Sequence, residues 1–470
     1  MPSDVQPPRG MRDFLPQDKA RREAVAASIR RSFTAYGYRE IETPALEDLG
    51  RLEASEGGDN EKLIYKVQRR GLAPDVPVLP GDAADLGLRY DLTVPLARFY
   101  ATHRAELPDV FRSIQIAPAW RAERPQKGRY RQFTQCDIDV LGEASVVAEV
   151  ELIAAGTAAI SELGVGDVVV RINDRRILNA LLGDFGVPEA ARSAVLVSID
   201  KLDKIGVAGV AEELARLGQG GAAGDVAGLV GWLEKLAGSG ESVAGTGRAG
   251  VGVGESGAGA GGSGAGDGGS GVGAGASGHF EGTLDLLPGA AGEAAAPLRA
   301  IHAALRLAAP GVRLAADPTL VRGQGYYTGP IFELLHPDVS GSIGGGGRYD
   351  GMIGRFAGAD VPACGLSIGF ERIVDLVDPA ALAGGRRQVA IVYEAGVDPG
   401  VLLAWQRRLI AEDADVRVVP RIRNQARLLD GLAGEGFTEV LDLPGAAAAP
   451  APGEPLPALR TLRPAGGRQP

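Results

Sequence analysis

Residues 111–142 read FRSIQIAPAWRAERPQKGRYRQFTQCDIDVLG. Two runs with strand-like patterning, 111–120 and 132–141, flank a basic loop. In the second run Phe133, Gln135, Asp137, Asp139 and Leu141 fall on one face, and Thr134, Cys136, Ile138 and Val140 on the other, by the period of two of an extended chain. Gln135 and Asp139 therefore point the same way. A sheet seldom sets an amide and a carboxylate between Phe133 and Leu141 unless something polar is bound there. The loop between the strands carries Arg121, Arg124, Lys127, Arg129 and Arg131 against a single acid, Glu123. Taken alone, such a loop is more often a solvated charged turn. Beside a strand of acceptors, it suits a ligand with a phosphate end and an amine end.

Upstream, residues 17–36 form an amphipathic pattern with Val25, Ile29 and Phe33 four apart and Gly37 as the stop. YREIETPALED (38–48) reads as a strand interrupted at Pro44, which confines it to an edge or an interface. LGLRYDLTVPLARFYA (86–101) reads as a strand on which Arg89, Asp91 and Thr93 share one face. Downstream, 145–163 is a predicted helix ended by Gly164, and VVVRIN (168–173) a strand. Helices follow near 176–184, 188–199 and 208–217.

Residues 238–278 hold 19 glycines and few charges, so too little apolar side chain is present to offset the entropy of ordering. With no strand feeding it and no helix following closely, this stretch reads as a flexible spacer rather than a phosphate-binding loop. The chain then offers Arg322 with Tyr326 and Tyr327, a run of four glycines at 344–347, and ACGLSIGFERIVDLV (363–377), a strand–turn–helix with Arg372 in its first turn. Beyond 386, strands at 388–394, 416–420 and 438–443 alternate with helices at 399–411 and 423–433, which predicts a small α/β domain. Between 386 and 427 eight arginines face five acids, a local surplus that permits contact with RNA.

The chain has 470 residues and a formal net charge of −10, so RNA binding would need a local basic surface. Two cysteines, Cys136 and Cys364, and four scattered histidines give neither zinc-ligand spacing nor a disulfide framework. The N-terminus lacks an apolar signal region and no long apolar run occurs, which predicts a soluble, cytoplasmic protein without membrane association. No Ser-His-Asp pattern is present. The inventory is three well-separated arginines (121, 322, 372) and several acceptors, which suits positioning and electrostatic catalysis.

Residues 111–142 resemble motif 2 of the class II aminoacyl-tRNA synthetases, in wording close to the histidyl-tRNA synthetase version. Residues 38–48 resemble motif 1 and 363–377 motif 3. The segment from Arg322 to Tyr327 is similar to the histidine-specific signature Arg-Gly-Leu-Asp-Tyr-Tyr, with Gln324 and Gly325 in place of Leu and Asp. The resemblance implies an α+β fold: a class II-type antiparallel sheet flanked by helices, a helical insertion and a small C-terminal α/β domain. The division it suggests is a catalytic core at 1–174 and 312–380, an insertion at 175–311, an anticodon-binding-like domain at 386–445 and a disordered tail at 446–470.

It further implies activation of L-histidine with ATP, magnesium accompanying the nucleotide, then transfer to tRNA(His) by a homodimer. Arg322 and Arg121 would be catalytic. Asp91, Leu92, Thr93, Gln135, Asp139, Tyr326 and Tyr327 would hold histidine, and Arg121, Glu123, Arg129 and Arg372 the ATP. The other reading the resemblance leaves open is a synthetase-like, histidine-sensing regulatory subunit of ATP phosphoribosyltransferase.

Overall fold

A computed structural model describes residues 5–53, 63–71, 83–125, 128–218, 224–238, 275–321, 326–378, 387–451 and 455–462. The chain forms two units. One comprises the described residues up to Asp13 and Val25–Val377, the other Phe14–Ala24 and the described residues from Asp378 onward. The first helix, α1 (Pro16–Ala35), is thus shared, whereas the sequence assigned it wholly to the core. Val25, Ile29 and Phe33 are fully buried along it, and Gly37, at φ +89°, turns the chain away.

In the larger unit, the segment around Pro44 is two strands in different sheets. β1 (Arg39–Glu40) pairs parallel with β5 (Phe111–Trp120) at one edge of an eight-stranded sheet. β2 (Leu46–Asp48) joins a three-stranded sheet with β3 (Tyr65–Gln68) and β4 (Ala84–Leu88), while α2 (Leu49–Glu53) follows it. The strand expected over 86–101 stops at Leu88. From Thr93 to His103 the chain is helix α3, because Val94, Leu96, Ala97 and Tyr100 bury at helical spacing and Pro95 tolerates the first turn. Burying each such large side chain stabilises the fold by about 1.5–3 kcal/mol.

The β5–β6 hairpin matches the sequence reading, with β6 at Gln132–Leu141. Next come α4 (Val147–Glu162) and β7 (Val169–Asp174), then the helices α5 (Arg175–Asp184), α6 (Glu189–Ile199), α7 (Leu202–Leu217) and α8 (Val226–Gly238). Residues 239–274, most of the predicted spacer, lie outside the described residues. Gly275–Gly278 are not spacer: they begin helix α9 (Gly275–Asp285). The Trp232 indole N–H donates to the Leu286 carbonyl at 3.0 Å, tying α8 to the end of α9. After α10 (Gly289–Glu293), α11 (Ala296–Ala308) packs back on α4 and β7, so the chain rejoins the core before residue 312.

β8 (Arg313–Ala316), β9 (Pro330–Leu335), β10 (Gly344–Arg348), α12 (Asp350–Ala357), β11 (Ala363–Ile368) and α13 (Phe370–Leu376) complete the unit. The large sheet runs β1-β5-β6-β11-β10-β9-β7-β8. Its six central strands are antiparallel, and the two edge pairings, β1/β5 and β7/β8, are parallel. Arg348 closes the core side with a buried two-pronged pair to Glu149 of α4, at 2.6 and 2.8 Å.

The C-terminal unit follows the sequence pattern closely: β12 (Arg387–Tyr393), α14 (Pro399–Ala411), β13 (Ala414–Pro420), α15 (Gln425–Gly434) and β14 (Glu439–Leu443), with β13, β12 and β14 parallel. Asp398 caps α14 and Asn424 caps α15 through backbone N–H groups. The tail from 446 is not wholly disordered. β15 (Arg460–Thr461) adds antiparallel to β14, and Leu456, Leu459 and Leu462 pack on the two faces of this sheet. A few leucines suffice to dock a segment whose Pro/Ala/Gly composition hid them. Residues 463–470 lie outside the described residues.

Candidate active site

β6 lays Phe133, Gln135, Asp137 and Asp139 along one wall of a cavity, as the alternation predicted. Register explains why there is room. Asp139 lies opposite Gly365 of β11, and Gly365 opposite Gly347 of β10. Asp137 lies opposite Ser367, and Ser367 opposite Gly345. Strand β10 contributes only glycine from 344 to 347, so the floor is bare backbone. The fit is tight: a Cβ on Gly365 would stand 2.0 Å from Asp139 Oδ1, and one on Gly346 would stand 1.8 Å from the Gly365 carbonyl oxygen.

One end of the cavity is acidic. Asp139 is 5 % exposed and accepts a 2.6 Å hydrogen bond from the Tyr349 hydroxyl. Burial pushes its carboxyl up to about 7, against the pull of that hydrogen bond. Asp137 is raised well above the carboxylate range by burial and by Asp139. Asp91 is raised by burial, with Arg121 opposing the shift. It sits in the bend before α3, where its Oδ1 accepts from the Val94 N–H at 3.3 Å, and Thr93 lines the cavity beside it. Gln135 donates Nε2 to Asp137 at 3.2 Å and to Ser367 Oγ at 3.4 Å. Tyr326 and Tyr327, with ring centroids 4.6 Å apart, close this end, and Tyr349 meets Tyr326 edge-on.

The other end is cationic. Arg121 leaves the β5–β6 hairpin with Nε bonded to the Tyr90 carbonyl at 3.0 Å and its guanidinium 5.0 Å from the Phe133 ring centre. Arg372, in the first turn of α13, donates to the Ser342 carbonyl. Burial, with Arg129 nearby, lowers its pKa. Arg129 reaches Glu123 at a loose 3.7 Å. Glu371 accepts from the Thr134 N–H at 3.0 Å and pairs with Arg12, which lies 3.4 Å over the Tyr130 ring. One hollow thus joins a carboxylate-lined end to a guanidinium-lined end.

The structure gathers Asp91, Thr93, Arg121, Glu123, Arg129, Gln135, Asp139, Tyr326, Tyr327 and Arg372 around this cavity. Arg322, with Gly323–Gly325, lies outside the described residues. Leu92 does not line the hollow: its side chain is fully buried and its carbonyl accepts from Leu96 N and Gln115 Nε2. Arg89 does not share a face with Asp91 and Thr93. Its guanidinium turns to the carbonyls of Thr43, Pro44 and Pro118.

Sequence reasoning did not single out Asp137, Tyr349, Ser367 or Glu371. For Asp137 the signal was present, since it lies between Gln135 and Asp139 on the same face. Ser367 and Tyr349 become site residues only through the pairing of β11 with β6 and β10, which no local pattern reveals.

Comparison with known proteins identifies the family. A family model described as histidyl-tRNA synthetase matches residues 10–244 and 275–373. The chain is 52% identical over 445 residues to a histidine–tRNA ligase of Leifsonia xyli subsp. xyli, covering 93% of this chain and 95% of the relative. It is 39% identical to a probable histidine–tRNA ligase of Tropheryma whipplei (strain Twist), covering 93% and 96%. Among solved structures, a histidyl-tRNA synthetase from Nostoc sp. PCC 7120 superposes with a TM-score of 0.68 at 25% identity, covering 93% of this chain and 91% of that one. With two stretches covering most of the chain matched to one family, and relatives this similar along nearly its whole length, the chain belongs to the histidyl-tRNA synthetase family.

Proposed function

We propose that this chain is a histidine–tRNA ligase: it activates L-histidine with ATP and transfers the histidyl group to tRNA(His). The observation that carries this reading is the single cavity whose acidic end is shaped around Asp139 and Tyr349 and whose other end presents Arg121, Arg129 and Arg372. In the first step a carboxylate oxygen of histidine attacks the α-phosphorus of ATP, and pyrophosphate leaves. In the second, a ribose hydroxyl of the tRNA attacks the activated carbonyl, and AMP leaves with the bonding pair.

Two anions must meet in the first step, so fixed cations govern its rate. Arg121 is assigned the α-phosphate. Arg372 and Arg129 hold the nucleotide, and Arg322, by family likeness, the carboxylate. Asp91, Thr93 and Gln135 receive the α-ammonium. Asp139, steadied by Tyr349, accepts from one ring N–H, while the Tyr327 hydroxyl meets the other nitrogen. Such a pocket rejects analogues that leave its buried polar groups unpaired. Magnesium arrives with the nucleotide, whose phosphate charge it neutralises. Among the described residues no cluster of three ligating side chains stands ready for a resident ion, and Glu123, only loosely paired, is the carboxylate at the nucleotide end suited to lend one oxygen.

We assign the C-terminal unit to tRNA contact. Arg387, Arg408, Arg417 and Arg421 are paired with acids, whereas Arg407, Arg423 and Arg427 are exposed and form no ion pair among the described residues. The exposed edge strand β1 beside Pro44 fits the dimer face implied by motif 1. No helix among the described residues is long and apolar enough to cross a membrane. The test is ATP–pyrophosphate exchange with each amino acid in turn, followed by charging of tRNA(His). Exchange with histidine alone is expected. Tight histidine binding without exchange would replace this reading with the regulatory one.

A further inference from the structure

Asp137 has no part in the scheme above, yet it is 6 % exposed, lines the cavity, and stands on the same strand face as Gln135 and Asp139. Its partners show what it does. Gln135 points its amide nitrogen at Asp137, with Nε2 at 3.2 Å from Oδ2 and 3.5 Å from Oδ1, and the Ser367 hydroxyl also bonds this carboxylate. Gln135 is itself 9 % exposed, and its Oε1 atom has no hydrogen-bond partner among the described residues. A buried carbonyl oxygen left unpaired costs about 1–3 kcal/mol, so such an atom marks where a donor belongs. The donor suited to this place is cationic: Asp137 stands beside Asp91 and Asp139, which both raise its proton affinity, and among the described residues Arg121 is the cation set against it.

An amide side chain can sit either way round, and its two ends differ in kind: one donates, the other accepts. An ammonium arriving beside Asp137 favours its ionised form, and against that carboxylate a Gln135 turned the other way would press its oxygen while offering N–H groups to the ammonium. Both contacts would be repulsive. We infer that Asp137 is a positioning residue that fixes the orientation of the Gln135 amide, so that a carbonyl oxygen and not an amide nitrogen faces the amino group of the substrate. This rests on the reading that the acidic end receives an amino acid, and it extends that reading from holding the ammonium to selecting for it. Ser367 supports the arrangement from the neighbouring strand: it bonds the same carboxylate, and its Oγ accepts from Gln135 Nε2 at 3.4 Å.

The test compares two ligands differing only in the amino group, L-histidine and 3-(imidazol-4-yl)propanoate, by calorimetric titration of the full chain. For Asp137→Ala and Asp137→Asn, the preference for histidine over the amine-less acid is expected to fall about tenfold or more, with binding of the amine-less acid unchanged within about twofold. The second ligand also reports that the pocket has kept its shape. The exchanged pair Gln135→Glu/Asp137→Asn keeps one amide and one carboxylate side by side with an acceptor toward the ligand, and is expected to recover the preference.

An undiminished preference in Asp137→Ala overturns the inference, as does equal weakening of both ligands. So does failure of the exchanged pair where the single variants have lost the preference, because an acceptor held toward the ligand by its neighbour would then not be what the single variants had lost. Exchange by the wild type, measured in parallel, reports on the ligase reading separately. A wild type that prefers histidine through its amine yet makes no adenylate refutes the ligase reading and leaves the role of Asp137 standing.

Discussion

At the scale of single residues, the site works because carboxylates are buried where water would otherwise satisfy them. Asp139 is the sharpest case. Its proton affinity in the fold, about 7, lies above that of the unfolded chain, so the folded state binds the proton more tightly. Its contribution to stability is therefore greatest in acid and is lost as the pH rises from about 4 to about 7. Asp139→Asn, which cannot titrate, is expected to gain thermal stability over the wild type across that interval, by on the order of a few kcal/mol. Melting curves at a series of pH values check this, and parallel curves for the two proteins would contradict it. Asp139→Ala is expected to lose histidine activation by about a hundredfold or more, since a buried acceptor for the ring is gone. Arg121→Ala keeps every carboxylate of the acidic end in place and is expected to slow adenylate formation by about a hundredfold, more than it weakens histidine binding. Single-turnover exchange with a separate binding titration distinguishes these two effects.

At the scale of elements, the cavity is a product of strand pairing. Gly365 lies opposite Asp139, and a methyl group there would meet the carboxylate at 2.0 Å. Gly365→Ala is thus expected to abolish histidine binding while costing about 1–3 kcal/mol of stability, as overpacking does. Titration calorimetry and a melting curve read both. How much of this was legible beforehand depends on the range of the signal. The hairpin of β5 and β6 was readable because period-two alternation is local, and the glycine run of β10 because composition alone marks it. The strand expected through Arg89, Asp91 and Thr93 failed because alternation over a few residues is equally served by the turn that starts α3. The docking of Leu456, Leu459 and Leu462 was hidden by the Pro/Ala/Gly-rich stretch around them. Asp137 was visible in the pattern, but its use depends on Ser367, more than 200 residues away in the chain. Such pairings are set by tertiary register, and a single sequence does not print them.

At the scale of the whole molecule, an acidic chain must bind an acidic polymer. With a net charge of −10, attraction to tRNA has to come from local clusters, and most arginines of the C-terminal sheet are neutralised by neighbouring acids. Arg423→Glu/Arg427→Glu is expected to raise the KM for tRNA about tenfold or more while leaving pyrophosphate exchange unchanged. Increasing salt should imitate the variant, depressing charging steeply and exchange hardly at all. Kinetics at several salt concentrations decide the matter, and equal loss in both steps would place the contact elsewhere. Another long-range tie lies under the large sheet. Arg89 gathers the carbonyls of Thr43, Pro44 and Pro118 around one guanidinium, while the next residue, Tyr90, offers its own carbonyl to Arg121. The Thr43–Pro44 segment and the Arg121 guanidinium are therefore fastened by adjacent links of one short chain segment. Anything that shifts the Thr43–Pro44 segment tugs at Arg89 and, one residue further on, at the carbonyl that holds Arg121.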